Sequence, residues 1–408
     1  MKINFVRMAY LICTPIWILG VLILRSLRWG RIIRLGGING GRLGHLVMDQ
    51  EMYFAEQECG IHSTNPKLLD IRYVWTAGLP ISNLLLLNHW KAKIWIGPKF
   101  LLQPIEAWNR KLPGGNVHVI PYRKGPQTLN QHNDLHGVLQ RTRPHFALDV
   151  EEIRKATNAI QARGFDSDSK FVCLHVRDGF HFETFSKGNF KDDDTRNADI
   201  DTYGSAIDYL ISEGYVVIRM GSTAREALRR KHHHIWDYAI DGSRSELLDL
   251  YLPSICTFFI STLSGPEKIA QLFRRPILFT NLAPLKSISL WMNYSVIIPK
   301  LLQNSETKEP IPWKTIFRNE LFRTGSNELR RMKLSFVNNS SDEIEAGTRE
   351  IHLRLSGVWK EHTKNDLLQE EFLDLVPDYL KAGGVRAKIG SAFLQDYSHL
   401  LYETKTIS

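Results

Sequence analysis

The sequence predicts an α/β protein of two Rossmann-like domains, with an apolar N-terminal membrane segment before them and a mostly helical tail behind. Three observations predict it. Apolar runs of strand length alternate with helical stretches from residue 32 to residue 281. Several of these runs end in polar or basic residues, as parallel strands do where a sheet presents its carboxyl ends to a ligand. The chain has 408 residues, more than one core usually organises, which suggests two domains and an extension.

Met8–Leu24 (MAYLICTPIWILGVLIL) carries no charge and is as long as the shortest membrane spans. Pro15 and Gly20 interrupt it, so a re-entrant or interfacial hairpin is the alternative to a span. It lacks a small-residue cleavage site and runs into Arg25, Arg28, Arg31 and Arg34, unlike a secretory signal. Those arginines would hold anionic headgroups and place the rest of the chain on the cytoplasmic side. Residues 1–34 are therefore read as anchor and basic collar, 35–165 as the first domain, 166–305 as the second and 306–408 as the helical extension.

In the first domain a short apolar start (Ile32–Gly44) leads through a glycine turn into a helix at His45–Glu58. Strands are expected at Leu69–Trp75, Ala92–Ile96 and Val117–Pro121, with helices at Asn83–Trp90 and Leu101–Leu112. A charged helix, Leu148–Gly164, precedes the linker Phe165–Lys170. In the second domain strands are expected at Phe171–Leu174, Tyr215–Ile218, Ile235–Tyr238, Thr257–Ser261 and Pro276–Thr280. Helices alternate with them at Tyr203–Glu213, Thr223–Lys231, Ser245–Pro253 and Pro266–Phe273. In the tail, Asn338–Asp342 with Glu343 and Glu345 reads as the cap of a helix to Gly357, and further helices are expected at Leu367–Leu375 and Ser391–Leu401.

A net charge of +9 and a pI near 9.2 favour anionic partners. No nucleic-acid module is present, so nucleic acid is not the expected partner. The four cysteines (Cys13, Cys59, Cys173, Cys256) have no metal-site spacing and read as reduced, structural residues, which fits a cytosolic compartment. No GxSxG, Walker or GxGxxG pattern occurs, which argues against serine hydrolases, P-loop and dinucleotide enzymes.

The candidate site residues follow strand ends. HVRDGFH (His175–His181) breaks an apolar strand with titratable groups: Arg177 suits a phosphate, and His175 or Asp178 a proton transfer. RMGS repeats the pattern one strand later, with Arg219 and the amides of Gly221 and Ser222 opening a helix. STLSG adds Ser261, Thr262, Ser264 and Gly265 as donors before another helix, and Asn281 ends the strand PILFT. In GGRLGHL, Arg42, Gly44 and His45 stand between a strand and a helix. Two arginines converging on one crevice would suit a diphosphate. The acidic triplet Asp192–Asp194 reads as a solvated loop, and His232–His234, at the end of an expected basic helix, as no metal site.

With GRLGHL, LHVRDG, RNADIDTYGSAIDYLISEGYVVIRMG, STLSGPEKIA with FTN, and NNSSDEIEAGTREIHLRLSG in place, the chain resembles a bacterial family of glycosyltransferases of unassigned specificity. More distantly it is similar to the α-1,2- and O-fucosyltransferases, which have a GT-B-like fold of two Rossmann-like domains and a His-x-Arg-Arg-x-Asp motif. His175 and Arg177 match that motif; Asp178 stands at the second arginine and no aspartate follows the glycine, so the donor sugar stays open. The resemblance implies inverting, metal-independent transfer from a nucleotide sugar, with no cofactor. Arg177 and Arg219 would take the leaving-group charge, Ser261, Thr262 and Ser264 would contact the donor, and Asp178, His175 or His45 would be the base. With the membrane segment, it implies a saccharide or lipid-linked acceptor at the inner face of a bacterial cytoplasmic membrane, in surface polysaccharide or lipopolysaccharide synthesis. A non-catalytic scaffold subunit of such a pathway is the alternative.

Overall fold

The computed structural model describes residues 13–62, 65–121, 133–166, 168–180, 184 and 195–402. The chain divides into two compact units, Met1–Gly125 and Pro126–Ser408, earlier than the boundary read at 165. Helix Val150–Gln161 explains the shift. Asp149 and Glu152 close a reciprocal capping box at its start, and it packs on helix Glu246–Ile255 of the second unit.

The first unit holds a parallel sheet of β1 (Ile32–Asn39), β2 (Leu68–Trp75) and β3 (Trp95–Ile96), in that order. Helix Leu43–Glu58 follows β1, and Asn83 caps helix Leu84–Lys91 through the Leu86 amide. β3 is shorter than expected because Lys93 and Ile94 donate back to the Trp90 carbonyl and prolong the helix end. The strand expected at Val117–Pro121 is absent. Residues Gly115–His118 form a 3-10 turn fastened by Asn109 to the Gly115 carbonyl (2.8 Å) and by His118 to the Ile33 carbonyl (2.8 Å). An isolated bridge, Leu35 with Val119, also joins this segment to β1.

The apolar segment is helical over Thr14–Ser26, and residues 8–12 lie outside the described residues. Thirteen residues span about 20 Å, short of the roughly 30 Å hydrocarbon core. Among the described residues no helix is long and apolar enough to cross a membrane. The helix buries Val21 and Leu24 and packs against helix Lys99–Lys111. The collar is also smaller than expected. Arg25 is tied to Asn109 (3.1 Å) and the Pro113 carbonyl (2.8 Å), and Arg34 is a β1 residue that forks onto Asp70 at 2.6 and 2.8 Å. Arg28 and Arg31 remain exposed.

Among the described residues the second unit is built on a seven-stranded sheet. β4 (Lys170–His175), β5 (Tyr215–Arg219), β6 (Ile235–Trp236), β7 (Phe258–Ser261), β8 (Ile277–Leu282) and β9 (Val296–Pro299) are parallel. An antiparallel pair, β10 (Leu301–Asn304) and β11 (Leu334–Val337), stands apart, and β12 (Lys388–Ile389) joins the edge of β9. The order is β12-β9-β8-β7-β4-β5-β6. β5, β7, β8 and β9 are buried throughout, as parallel strands covered on both faces must be.

Residues 306–408 pack on the second unit: β12 extends its sheet, and helix Ser341–Leu355, started by a Ser340–Glu343 capping box, packs on helix Gly204–Ser212. One expectation is corrected here. The helix expected at Thr223–Lys231 does not form. Its backbone is taken elsewhere: the Arg225 amide by Asp178 (2.9 Å), the Leu228 amide by Asp237 (2.8 Å) and the Glu226 carbonyl by Arg219 (2.6 Å).

Candidate functional site

Strand order locates the site. From β4 the chain proceeds outward to β5 and β6, then returns to lay β7 on the other side of β4 and continues to β8 and β9. The order reverses between β4 and β7. Their two outgoing loops part there, and the crevice at the carboxyl ends of such strands is where open α/β sheets bind ligands. The residues at this point are His175–Gly179 after β4 and Ser261–Gly265 after β7. His175 and Ser261 are cross-strand partners.

The two loops are bonded together. The Arg177 amide donates to Thr262 Oγ1 at 3.0 Å, and the Thr262 amide points to the His175 carbonyl at 3.4 Å. Arg177 is only 8% exposed, and Ser261 and Thr262 are fully buried. Glu267 organises the β7 loop: one carboxylate oxygen accepts the Ser261 hydroxyl and the Ser264 amide (2.9 Å), while the other is 3.2 Å from Lys268 Nζ. Leu263 is held at φ +61°, a left-handed conformation that costs a branched side chain about 1–2 kcal/mol. The Arg196 guanidinium fixes it by donating to the Leu263 carbonyl (3.1 Å). The helix after this loop, Glu267–Leu272, has six residues and is entirely buried.

Other candidates are engaged in bonds within the fold. Asp178 accepts the Phe180 amide on one oxygen and the Arg225 amide on the other, both at 2.9 Å, so it staples the β4 loop to the β5 loop. Arg219 is 4% exposed and turned onto the Glu226 carbonyl and Asp237 (3.5 Å), inside its own connection. The Arg219 guanidinium is therefore engaged within its own connection rather than beside Arg177. Gly221 lies near His175, whose Cδ2 would be 3.8 Å from a Cβ there, and Ser222 is exposed, but neither opens a helix. Asn281 is fully buried and exchanges bonds with Asn339 (2.5 and 2.8 Å), and its Nδ2 donates to Tyr203. Burial pushes the Tyr203 phenol up to about 12, so it stays a neutral partner. Asn281 holds the end of β8 to the residues that precede helix Ser341–Leu355.

Arg42, Gly44 and His45 belong to the first unit. The glycine requirement there is steric: a Cβ on Gly41 would lie 2.5 Å from the Thr76 carbonyl oxygen at the end of β2. Arg42 is the exposed N-cap of helix Leu43–Glu58, Gly44 is in its first turn, and His45 Nδ1 is 3.2 Å from Asp49. His181 and Asp192–Asp194 lie outside the described residues.

Sequence reasoning missed the strap over the β4 loop. The Ala198 amide donates to the Arg177 carbonyl (2.9 Å), and a Cβ at Gly179 would meet Asn197 Nδ2 at 3.0 Å. Lys300, 4% exposed, donates from Nζ to the Asn197 carbonyl at 2.7 Å. The signal was present: VIIPK is an apolar strand ending in a cation, like VVIR at β5. Arg225 adds a guanidinium 5.5 Å from the Phe180 ring.

No protein-family profile matches the chain, and no curated protein matches it in sequence. Among solved structures, a family 9 glycosyl transferase from Veillonella parvula aligns at TM-score 0.38 and 10% identity, over 61% of this chain and 80% of that one. The ADP-heptose LPS heptosyltransferase II of E. coli aligns at TM-score 0.35 and 13% identity, over 62% and 88%. At these scores the likeness carries no argument about chemistry.

Proposed function

We propose that the protein is a glycosyltransferase that moves a sugar from a nucleotide-sugar donor to a saccharide acceptor. One observation carries the reading most: a buried arginine, Arg177, is bonded through its backbone to a hydroxyl-rich loop at the reversal of strand order. A guanidinium there suits the charge of a departing diphosphate, and loop hydroxyls and amides suit its oxygens. The motif resemblance to glycosyltransferases supports the same assignment.

The proposed chemistry is inverting displacement. An acceptor oxygen bonds to the anomeric carbon, the bond from that carbon to the diphosphate breaks, and the hydroxyl proton passes to a base. The candidate bases are His175, Asp178 and His45; Asp178 already accepts two amides, which favours a histidine. Preorganised positive charge stands in for a metal on the leaving group. The acceptor is proposed to be lipid-linked, at the cytoplasmic face of a bacterial inner membrane, in surface polysaccharide synthesis. Exposed Ile16, Leu19, Leu22, Ile23 and Trp29, beside Arg28 and Arg31, suit an interfacial helix rather than a span.

The test is a calorimetric screen of GDP, UDP, CMP, ADP and dTDP against wild type and Arg177→Ala. One nucleotide is expected to bind selectively and to lose at least tenfold in affinity in the variant. A folded wild type that binds none would overturn the donor assignment in favour of a scaffold role.

A further inference from the structure

We propose that His232, His233 and His234, on the connection between β5 and β6, form a binding site for a divalent transition-metal ion of the Zn2+ or Cu2+ class. Imidazole nitrogen is a preferred ligand for these ions. In an extended chain neighbouring side chains face opposite ways, so three consecutive histidines would not ordinarily cooperate. Here the chain turns at residues 233–234 and brings all three rings together. Ring centroids are 4.2 Å apart for His232–His233 and His233–His234, and 5.4 Å for His232–His234. One ligand atom from each lies within 4.8 Å of the other two.

The backbone that carries them is fixed. Val217 of β5 donates to the His234 carbonyl (2.8 Å), and Ile235 donates to the His232 carbonyl (2.9 Å). An ion bound at about 2.0–2.1 Å from each nitrogen in a tetrahedron needs them roughly 3.4 Å apart. Side-chain rotation supplies the difference at little packing cost, because His232 and His233 are exposed. His234 Nδ1 is buried with no hydrogen-bond partner among the described residues, a position that a native structure normally fills. Arg230, two residues before His232, is neutralised by Asp208 at 2.9 Å. His232 is the weakest of the three ligands, because its Nδ1 accepts the His234 amide at 3.1 Å and must give up that bond or its tautomer. A cleft of about 310 Å³ beside His232, lined also by Asp208 and Ser212, leaves room for water on the open positions of the ion.

This assignment does not depend on the sugar-transfer reading. The test is calorimetric titration of the full chain with Zn2+, for wild type, His232→Ala, His233→Ala and the variant with all three histidines replaced by alanine. Wild type is expected to bind one equivalent that the triple variant lacks. His233→Ala should weaken it at least tenfold and His232→Ala by less. Cu2+ in place of Zn2+ should give an electron paramagnetic resonance spectrum with nitrogen splitting that the triple variant loses. Because His232 and His233 are exposed and His234 is only half-buried, circular dichroism should show every variant folded. A folded triple variant that keeps the equivalent within twofold would assign it to others of the 15 histidines and overturn the site. A wild type that binds no better than the triple variant would do the same.

Discussion

The backbone amide of Arg177 donates to the Thr262 hydroxyl at 3.0 Å, joining the ends of two strands that are 85 residues apart in the chain. The bond is buried, so its loss leaves an amide without water or partner. Thr262→Val is expected to destabilise the protein by about 1–3 kcal/mol, and Thr262→Ser by much less. Urea unfolding of both variants checks this. Equal midpoints for the two would mean that the hydroxyl does not hold the amide.

Glu267 holds the same loop from beneath, accepting from Ser261 and Ser264 while facing Lys268. Glu267→Ala strips two donors of their acceptor and leaves a buried lysine without its carboxylate. The expected cost is about 3–5 kcal/mol. Glu267→Gln keeps an acceptor and the shape, and should cost less than half as much. It should also weaken whichever nucleotide binds, since Ser264 is then held less firmly. An alanine variant within about 1 kcal/mol of wild type would show that the loop holds itself.

The strand framework was legible because buried parallel strands are written as continuous apolar runs; β4, β5, β7 and β8 lie within a residue or two of their expected places. The direction of each polar side chain was not legible. Arg177 and Arg219 look alike in sequence, each one a cation at a strand end. What separates them is Asp237, 18 residues beyond Arg219, which turns that guanidinium inward. Asp178 likewise became a staple because Arg225 arrives from a connection that sequence periodicity had assigned to a helix. Lys300 ends an apolar strand, which is a legible signal, but Asn197 belongs to the strap only through tertiary contact with the β4 loop and Lys300, and no local pattern announces that.

The proposed membrane contact makes a quantitative expectation. Trp29 is 79% exposed and Ile16, Leu19 and Ile23 share an open face of helix Thr14–Ser26. Replacing these three aliphatic residues with serine should lower co-sedimentation with anionic phosphatidylglycerol vesicles at least tenfold. Arg28→Ala with Arg31→Ala should lower it by about 1 kcal/mol per residue and flatten its salt dependence. Equal binding to neutral phosphatidylcholine vesicles would remove the electrostatic part of the proposal.

His352 joins two layers of the second unit. Its Nδ1 accepts the Tyr209 hydroxyl at 2.6 Å, and its ring stands edge-on to Tyr215, with centroids 5.4 Å apart. Burial lowers its affinity for a proton, an effect opposed by Glu213 and reinforced by Lys170. The folded state therefore holds the neutral ring. In the unfolded chain the ring protonates near pH 6.5. With the folded value depressed, the stabilisation is fully present above about pH 6.5 and is lost as pH falls toward the folded value. His352→Gln keeps an acceptor for Tyr209 but cannot titrate. The stability of wild type relative to this variant should therefore decline between about pH 7.5 and 5. Unfolding midpoints measured for both proteins across that range test the sign directly: a difference that stays flat or grows on acidification would mean that His352 is protonated in the fold and that Tyr209 is not donating to it.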